Sequence, residues 1–283
     1  KHVPTILVSF ARSGNSPESV ATVKLCDRIV DQFYHVVITC NKDGQLAKDT
    51  KGDENAITIL MPEKANDKSL AMTSSFTCML ITAYTLFTSR EIDKNVMYYA
   101  ENLIERVMDN LDEILAFDFE RISYLGSGML SQLSHEAALK MLELTAGKVV
   151  AIHESSLGFR HGPKSILNDK SAVVVFVSKD PYTRKYDLDI LREVSNQDAD
   201  MKVIALTEKE DAEIKAAADW VIPVTDGENS LAGDFELALL YVIVAQALAM
   251  NKSLQLGLTP DNPSVDGSLN RVVQGVTIYD YDK

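Results

Sequence analysis

Residues 122–153, ISYLGSGMLSQLSHEAALKMLELTAGKVVAIH, contain an apolar strand, a glycine loop, a helix and a second strand. The first strand is predicted over Ile122–Leu125 and runs into the loop Gly126-Ser127-Gly128. The helix is predicted over Ser134–Ala146, and the next strand over Val149–His153. A strand, a crossover helix and a further strand form a βαβ unit, in which the two strands are parallel. This stretch therefore predicts an α/β fold built on a parallel sheet.

Strands and helices alternate in the same way along the rest of the chain. The further strand candidates are Thr5–Ser9, Tyr34–Thr39, Ala56–Met61, Ala172–Ser178, Lys202–Leu206 and Trp220–Val224. The further helix candidates are Ser16–Gln32, Ser69–Ser89, a long stretch over 92–117, Arg184–Asn196 and Asp234–Gln255. Most of the strands are continuously apolar, as expected where helices cover both faces of a parallel sheet.

The chain has 283 residues, enough for about two domains. Its first half opens with a strand, a loop and a helix, a segment that matches the third strand of the second half and the helix after it. We therefore expect two tandem doubly wound domains, the first lacking its N-terminal part. The expected bounds are 1–116 with a connecting helix, 117–257, and a C-terminal tail over 258–283 that closes the site.

The composition excludes several classes of partner. Asp and Glu outnumber Lys and Arg by 41 to 28, and this net charge of −13 argues against nucleic acid or an anionic membrane. No apolar stretch reaches the roughly 18 residues that a membrane span needs. The three cysteines have no metal-ligand spacing and indicate reduced thiols in a cytoplasmic protein. We expect neither a metal nor a cofactor.

The segment Ala11–Ser19, ARSGNSPES, follows a buried strand and opens a helix. Free backbone N–H groups and the positive end of the helix dipole meet there, which favours an anion. The candidate phosphate ligands are Arg12, Ser13, Gly14, Asn15 and Ser16. The alternative is an ordinary helix start with Ser16 as its N-cap, which is compatible with ligand binding. The spacing is not that of a Walker loop.

Three motifs together resemble the sugar isomerase (SIS) domain family. SFARSGNSPES resembles its phosphate loop, GSGMLSQLSHEAALKMLELTAGKV with GFRHGPKS resembles a second SIS copy, and NRVVQGVTI resembles the closing tail. The combination is similar to the AgaS group of tagatose-6-phosphate ketose/aldose isomerases and galactosamine-6-phosphate deaminases. The resemblance implies two tandem SIS domains of flavodoxin-like topology.

Glu136, Lys140 and Glu143 are spaced i, i+4 and i+7, so they share one face of the helix that follows the glycine loop. From the residues alone, a solvated Glu–Lys ladder remains the alternative to a site wall. The resemblance implies that Glu143 moves the proton between C1 and C2 of an open-chain sugar phosphate. It also implies that Lys140 organises the site. The alternative is that Lys140 simply pairs with Glu136 or Glu143.

His161 lies in Phe159–Lys164, FRHGPK, where Gly-Pro fixes a turn. Alone, such a histidine can be an ordinary surface residue. The resemblance implies that it opens the sugar ring, and that its loop reaches the active site of a neighbouring subunit. We therefore expect a homodimer or higher homo-oligomer with shared active sites.

Other substrate contacts are expected from hydroxyl and amide side chains. Thr73 and Ser74 begin a helix that carries more hydroxyls than one cap requires, and Ser127 lies in the glycine loop. Gln274 falls at or near the position where glucosamine-6-phosphate synthase has a lysine that forms a Schiff base. An amide cannot form an imine, so this residue is expected to orient the sugar by hydrogen bonds.

The predicted activity is that of a phosphosugar aldose/ketose isomerase acting on a 6-phosphorylated hexose or hexosamine. On a 2-amino sugar the same proton transfer leads to deamination, so that galactosamine 6-phosphate gives tagatose 6-phosphate and ammonia. The alternative from another class is a non-catalytic sugar-phosphate-binding regulatory module.

Overall fold

The computed structural model describes residues 2–197, 200–272 and 275–281. The chain packs as two compact units, residues 1–91 with 264–283 and residues 92–263. Each unit contains its own parallel sheet. The predicted α/β class with parallel sheets is thereby confirmed.

The first unit has a three-stranded sheet in the order β1-β2-β3, with all strands parallel. Its strands are β1 (Thr5–Ala11), β2 (Phe33–Thr39) and β3 (Ala56–Leu60). Its helices are α1 (Pro17–Ile29), α2 (Gln45–Asp49), a 3₁₀ turn over Glu63–Ala65, and α3 (Ser74–Thr88). Helix α3 packs on the face of the sheet that carries Ile38, around a core that includes Met61 and Met79.

The second unit has a five-stranded parallel sheet in the order β5-β4-β6-β7-β8. Its strands are β4 (Arg121–Gly126), β5 (Val150–Ser155), β6 (Ser171–Phe176), β7 (Lys202–Thr207) and β8 (Trp220–Pro223). Its helices are α4 (Lys94–Glu101), α5 (Leu103–Ala116), α6 (Met129–Leu144), α7 (Thr183–Ser195), α8 (Ala212–Lys215) and α9 (Asp234–Gln255), with 3₁₀ turns over Gly158–His161 and Pro163–Ile166. The strand order is that of a doubly wound, flavodoxin-like sheet.

Helices cover both faces of this second sheet. Helices α5 and α9 cover the face that carries Tyr124, while α7 and α8 pack against the opposite face, where Val175 is fully buried. The strands are therefore apolar on both sides, which explains why the sequence shows continuous apolar runs rather than alternation.

Helix α9 corrects the expectation that no apolar stretch is long enough for a membrane span. Its 22 residues are long and apolar enough by length and composition, but 72% of its most apolar window is buried inside the protein. It is the central helix of the second unit and packs against α4, α5 and α6. A helix that is apolar all round is expected at such a position.

Two predicted helices have different bounds in the structure. The stretch over 92–117 forms two helices separated at Asn102, not one. Helix α6 begins at Met129, five residues before the predicted start, because Gly128 adopts a φ of +56° and turns the chain directly into the helix. Helices α4 and α5 pack with the second unit, whereas the domain bounds 1–116, 117–257 and 258–283 stay predictions.

Candidate active site

The predicted phosphate loop, Ala11–Ser19, lies in the first unit between the end of β1 and the start of α1. Its carbonyl groups are turned towards the segment after β2: Asn41 Nδ2 donates to Ser13 O at 2.8 Å, and the amide of Leu46 donates to Gly14 O at 3.0 Å. Ser16 occupies the N-cap position of α1, yet its hydroxyl accepts no cap hydrogen bond from the described helix. Hydroxyl and amide donors are therefore available at a helix N-terminus, which is the arrangement that binds anions.

Two glycines allow this loop to pack closely. Gly14 has a φ of +67° and is buried, and the Cα of Gly44 faces it across the space between the two loops. A Cβ at Gly44 would lie 2.4 Å from the carbonyl oxygen of Ser13 and 3.2 Å from Cα of Gly14. Because backbone cannot yield as a flexible side chain does, Gly44 is required for the shape of the loop.

Arg12 is buried, and its guanidinium donates to three carbonyl oxygens. The acceptors are Ser69 O at 3.1 Å, Leu70 O at 3.0 Å and Arg271 O at 3.3 Å. These bonds tie the phosphate loop to the segment before α3 and to the C-terminal tail. The predicted role of Arg12 as a phosphate ligand stays a prediction, beside the structural role that these bonds indicate.

The hydroxyls at the start of α3 are largely engaged by Asp67. Its carboxylate accepts from the backbone amides of Thr73, Ser74 and Ser75 and from the hydroxyls of Thr73 (2.8 Å) and Ser75 (2.5 Å). Burial alone would raise the pKa of Asp67, but these bonds from Ser75 and Thr73 lower it below its ordinary value. Of the two predicted ligands, Ser74 keeps an exposed side chain, whereas the hydroxyl of Thr73 already has an acceptor.

The C-terminal tail is anchored through Arg271. Its guanidinium donates to Lys68 O at 3.3 Å, to Asn66 Oδ1 at 3.3 Å, and to Asp67 O. The tail therefore packs on the segment that precedes α3. The predicted ligand Gln274 lies outside the described residues.

In the second unit, α6 brings together the three charged residues that the spacing predicted. Lys140 Nζ lies 2.5 Å from Glu143 Oε2 and 3.5 Å from Glu136 Oε1. The side chain of Lys140 is only 2% exposed, that of Glu136 13% and that of Glu143 26%. The alternative of a solvated ladder is therefore wrong, because the cluster is mostly withdrawn from water. Lys140 pairs with both glutamates, and its predicted role in organising the site stays a prediction.

Glu136 has an unusual environment for a carboxylate. Burial raises its pKa to about 7, the charge of Glu143 adds to the rise, and Lys140 opposes it. Its Oε1 atom has no hydrogen-bond partner in the described part of the chain. A carboxyl group with a pKa near neutrality can take up or release a proton at working pH, which sites of proton transfer require.

Ser127 lies at the carboxyl end of β4, where Asp187 of α7 gathers three donors. The fully buried carboxylate accepts from the hydroxyls of Ser127 (2.5 Å) and Ser156 (2.6 Å) and from the amide of Ser178 (3.0 Å). Burial raises the pKa of Asp187, while the three donors favour the ionised form. Ser127 thus holds a strand end, and its predicted contact with substrate stays a prediction.

His161 lies at the end of the 3₁₀ turn Gly158–His161, and its side chain is exposed. Gly162 follows with a φ of +128°, and Pro163 starts the second turn. The neighbours Arg160 and Lys164 both bind the carboxylate of Glu193 on α7. The histidine is therefore presented outward on a shaped turn, as the Gly-Pro pair predicted.

Sequence reasoning missed Asp67, Asp187 and Glu193, the carboxylates that hold these segments. Asp187 carried a signal, since with Leu191 and Val194 it is spaced i, i+4 and i+7 on the buried face of α7. An acidic residue in an apolar stripe needs hydrogen-bond donors. In the described residues, no group of three or more His, Cys, Asp or Glu side chains is placed to hold a metal ion.

The family model for the SIS domain matches residues 117–254. A D-galactosamine-6-phosphate deaminase AgaS from Escherichia coli is 43% identical over 281 residues, which are 98% of this chain and 72% of that protein. A solved structure of a candidate tagatose-6-phosphate ketose/aldose isomerase from Clostridium novyi NT has a TM-score of 0.93 at 42% identity and covers 98% of this chain and 72% of its own.

A second solved structure, tagatose-6-phosphate ketose/aldose isomerase from Escherichia coli, has a TM-score of 0.84 at 40% identity, with 93% of this chain and 71% of that chain covered. The doubly wound sheet and the matched residues define a SIS-domain protein of the α/β class. Within that class, the identity and coverage show that the chain belongs to the AgaS family. The family resemblance seen in the sequence motifs is confirmed.

Proposed function

We propose that this protein is a phosphosugar isomerase that acts on 6-phosphorylated hexoses and deaminates the substrate when C2 carries an amino group. Membership of the AgaS family supports this activity, and so do the names of the relatives. The single structural observation that supports it best is the buried Glu136–Lys140–Glu143 cluster on α6. Such a cluster places a carboxylate in a partly desolvated setting, where proton abstraction from a carbon acid is effective.

The substrate phosphate binds at the loop after β1. Ser13 and Ser16 donate their hydroxyls, and the amides around Gly14 and at the start of α1 add further donors. The uncapped N-terminus of α1 supports this role, because an anion there interacts favourably with the helix dipole. Asn15 holds the loop through its side-chain oxygen, which accepts from the amide of Gln45 at 2.9 Å.

The chemical steps use His161 and then Glu143. His161 moves a proton between the ring oxygen and the anomeric hydroxyl, which opens the ring. Glu143 then removes the proton from C2 and returns it at C1, with Lys140 holding its carboxylate in place. An aldose becomes a ketose. A 2-amino sugar becomes a C2 imine, and water converts the imine to the ketose and ammonia.

The first unit is proposed to be a second SIS domain in tandem with the matched one. Its three parallel strands and its glycine loop before α1 support this assignment. We also propose a homodimer in which the His161 loop completes the site of the neighbouring subunit. The exposure of His161 supports this arrangement. Cytoplasmic location stays a prediction.

The decisive experiment incubates the protein with galactosamine 6-phosphate, glucosamine 6-phosphate and tagatose 6-phosphate and measures ammonia and sugar product together. Equal amounts of ammonia and ketose from an amino sugar are expected. Interconversion of tagatose 6-phosphate with an aldose, with no ammonia released from either amino sugar, would restrict the activity to isomerisation. Binding without turnover of any of the three would overturn the proposal and favour a regulatory module, for which no present observation argues.

A further inference from the structure

The loop that carries His161 is attached to helix α7 at two places. At its start, Ser156 donates its hydroxyl to Asp187 Oδ1 at 2.6 Å. Further along, Arg160 donates to one oxygen of Glu193, and Lys164 Nζ donates to the other at 2.7 Å. Asp187 and Glu193 belong to the same helix, so a single rigid element holds both parts of the loop.

The Glu193 carboxylate joins the residues on either side of His161. Arg160 precedes the histidine directly and Lys164 follows it by three positions, so their shared partner closes the turn between them. Hydrogen bonds from Lys164 and Arg160 lower the pKa of Glu193, so the carboxylate is ionised at neutral pH. All three side chains are partly withdrawn from water, between 27% and 35% exposed. One carboxylate shared by two cations forms a network, which holds its members more firmly than an isolated surface ion pair does.

His161 itself has no such attachment. None of the described residues forms a hydrogen bond or an ion pair with its imidazole, and the side chain is exposed. The turn also contains Gly162, whose backbone conformation is freely varied. The direction of the imidazole must therefore come from the backbone of the turn, which its two charged neighbours hold.

We propose that Glu193 is a positioning residue for ring opening: by holding Arg160 and Lys164, it fixes the turn that presents His161 to the sugar. This inference rests on the proposed function, in which His161 opens the ring. The carboxylate of Glu193 is engaged by Arg160 and Lys164, and it acts only through these two side chains. Loss of the carboxylate should leave the histidine in place but spread it over several orientations, which slows the step that it serves.

Ring opening can be measured on its own, because the α and β anomers of galactosamine 6-phosphate interconvert through the open chain. Exchange spectroscopy by NMR gives this rate in the Glu143→Gln background, where the substrate is not consumed. We expect Glu193→Gln to slow the catalysed interconversion roughly tenfold. Arg160→Gln, which breaks the same attachment from the loop side, should give a similar loss, and His161→Asn should abolish it. In the protein with Glu143 intact, Glu193→Gln should lower kcat and change KM by less than about twofold.

Asp189→Asn is the matched control, because Asp189 lies on the same helix and pairs with Arg192 rather than with the loop. It should interconvert the anomers at the parent rate. A parent rate in folded Glu193→Gln and Arg160→Gln, with His161→Asn inactive, would overturn the positioning role and leave the proposed function intact. No interconversion above the spontaneous rate in the parent protein would overturn both.

Discussion

Lys140 Nζ lies 2.5 Å from Oε2 of Glu143 on the same face of helix α6, and the lysine side chain is almost completely buried. The ion pair fixes the direction of the carboxylate that is proposed to transfer the proton. Because the lysine lies between two carboxylates, replacing Lys140 would leave two largely buried acidic side chains without a cation, so the stability of α6 depends on the same pair.

Replacing Glu143 by Gln tests the proposed proton transfer. The amide keeps the shape and one hydrogen-bond acceptor for Lys140 but cannot accept the C2 proton. We expect kcat to fall by about 10²–10⁴ while substrate binding survives. Loss of deuterium exchange at C2, followed by NMR, measures the step directly. Glu105→Gln, an exposed position on α5, is the control and should exchange at the parent rate. Undiminished exchange in Glu143→Gln would remove this residue from the mechanism, with Glu136 the next candidate.

Glu136 predicts a specific dependence of stability on pH. Its pKa is raised from 4.5 to about 7, so the folded protein holds a proton that the unfolded chain has released between these values. The free energy of unfolding should therefore fall as pH rises through this window, by on the order of 3 kcal/mol for this group alone. Glu136→Gln has no such titration, so the free energy of unfolding of the variant, relative to that of the parent, should increase as pH rises. Urea unfolding at pH 5, 6, 7 and 8 measures this difference. A difference that stays constant from pH 5 to pH 8 would contradict the raised pKa.

The phosphate loop predicts an effect on substrate binding. Ser13→Ala combined with Ser16→Ala removes two donors to a dianion, each charge-assisted bond contributing roughly 1.5–3 kcal/mol. KM for the 6-phosphorylated sugar should rise strongly, and kcat should change less. Thr22→Ala on α1 is the control, because its hydroxyl donates to Glu18 O within the helix. If the double variant binds substrate normally, the loop serves only to begin the helix.

Gly44 lies outside the phosphate loop, yet we expect it to determine the shape of that loop. In Gly44→Ala the new Cβ would lie 2.4 Å from Ser13 O, so the loop must move. We expect a rise in KM together with a loss of roughly 1–3 kcal/mol in stability, measured by urea unfolding. Gly52→Ala is the control: its φ of +82° makes it strained, but nothing lies within 4 Å of its Cβ. It should lower stability without a change in KM, and equal KM values for the two variants would refute the prediction.

The sequence predicted local features well and long-range ones poorly. All eight strands of the described residues were predicted from apolar runs, and the loop at Ser13–Ser16 from its place between a strand and a helix. The contact of Gly14 with Gly44 could not be predicted, because it depends on the approach of two segments 30 residues apart in sequence. The same holds for Asp67, whose carboxylate engages a hydroxyl that was predicted to contact the sugar.

The site of the second unit shows the same division. Helical spacing placed Glu136, Lys140 and Glu143 on one face, but whether that face is exposed to solvent or buried depends on tertiary packing. The two bonds that attach the His161 turn to Glu193 span 33 and 29 positions and follow from the way α7 packs on the sheet. Local pattern thus named the candidate reacting groups, and tertiary packing supplied the carboxylates that hold their surroundings.

Helix α9 has a consequence for the order in which the second unit can form during synthesis. All five strands of this sheet are complete at Pro223, but the face that carries Tyr124 and Phe176 gains the cover of α9 only when Asp234–Gln255 has left the ribosome. Until then a broad apolar surface faces water, and a chain that stalls before this helix is prone to aggregate. The second unit therefore cannot complete its fold strand by strand as it emerges, and its last helix decides when it closes.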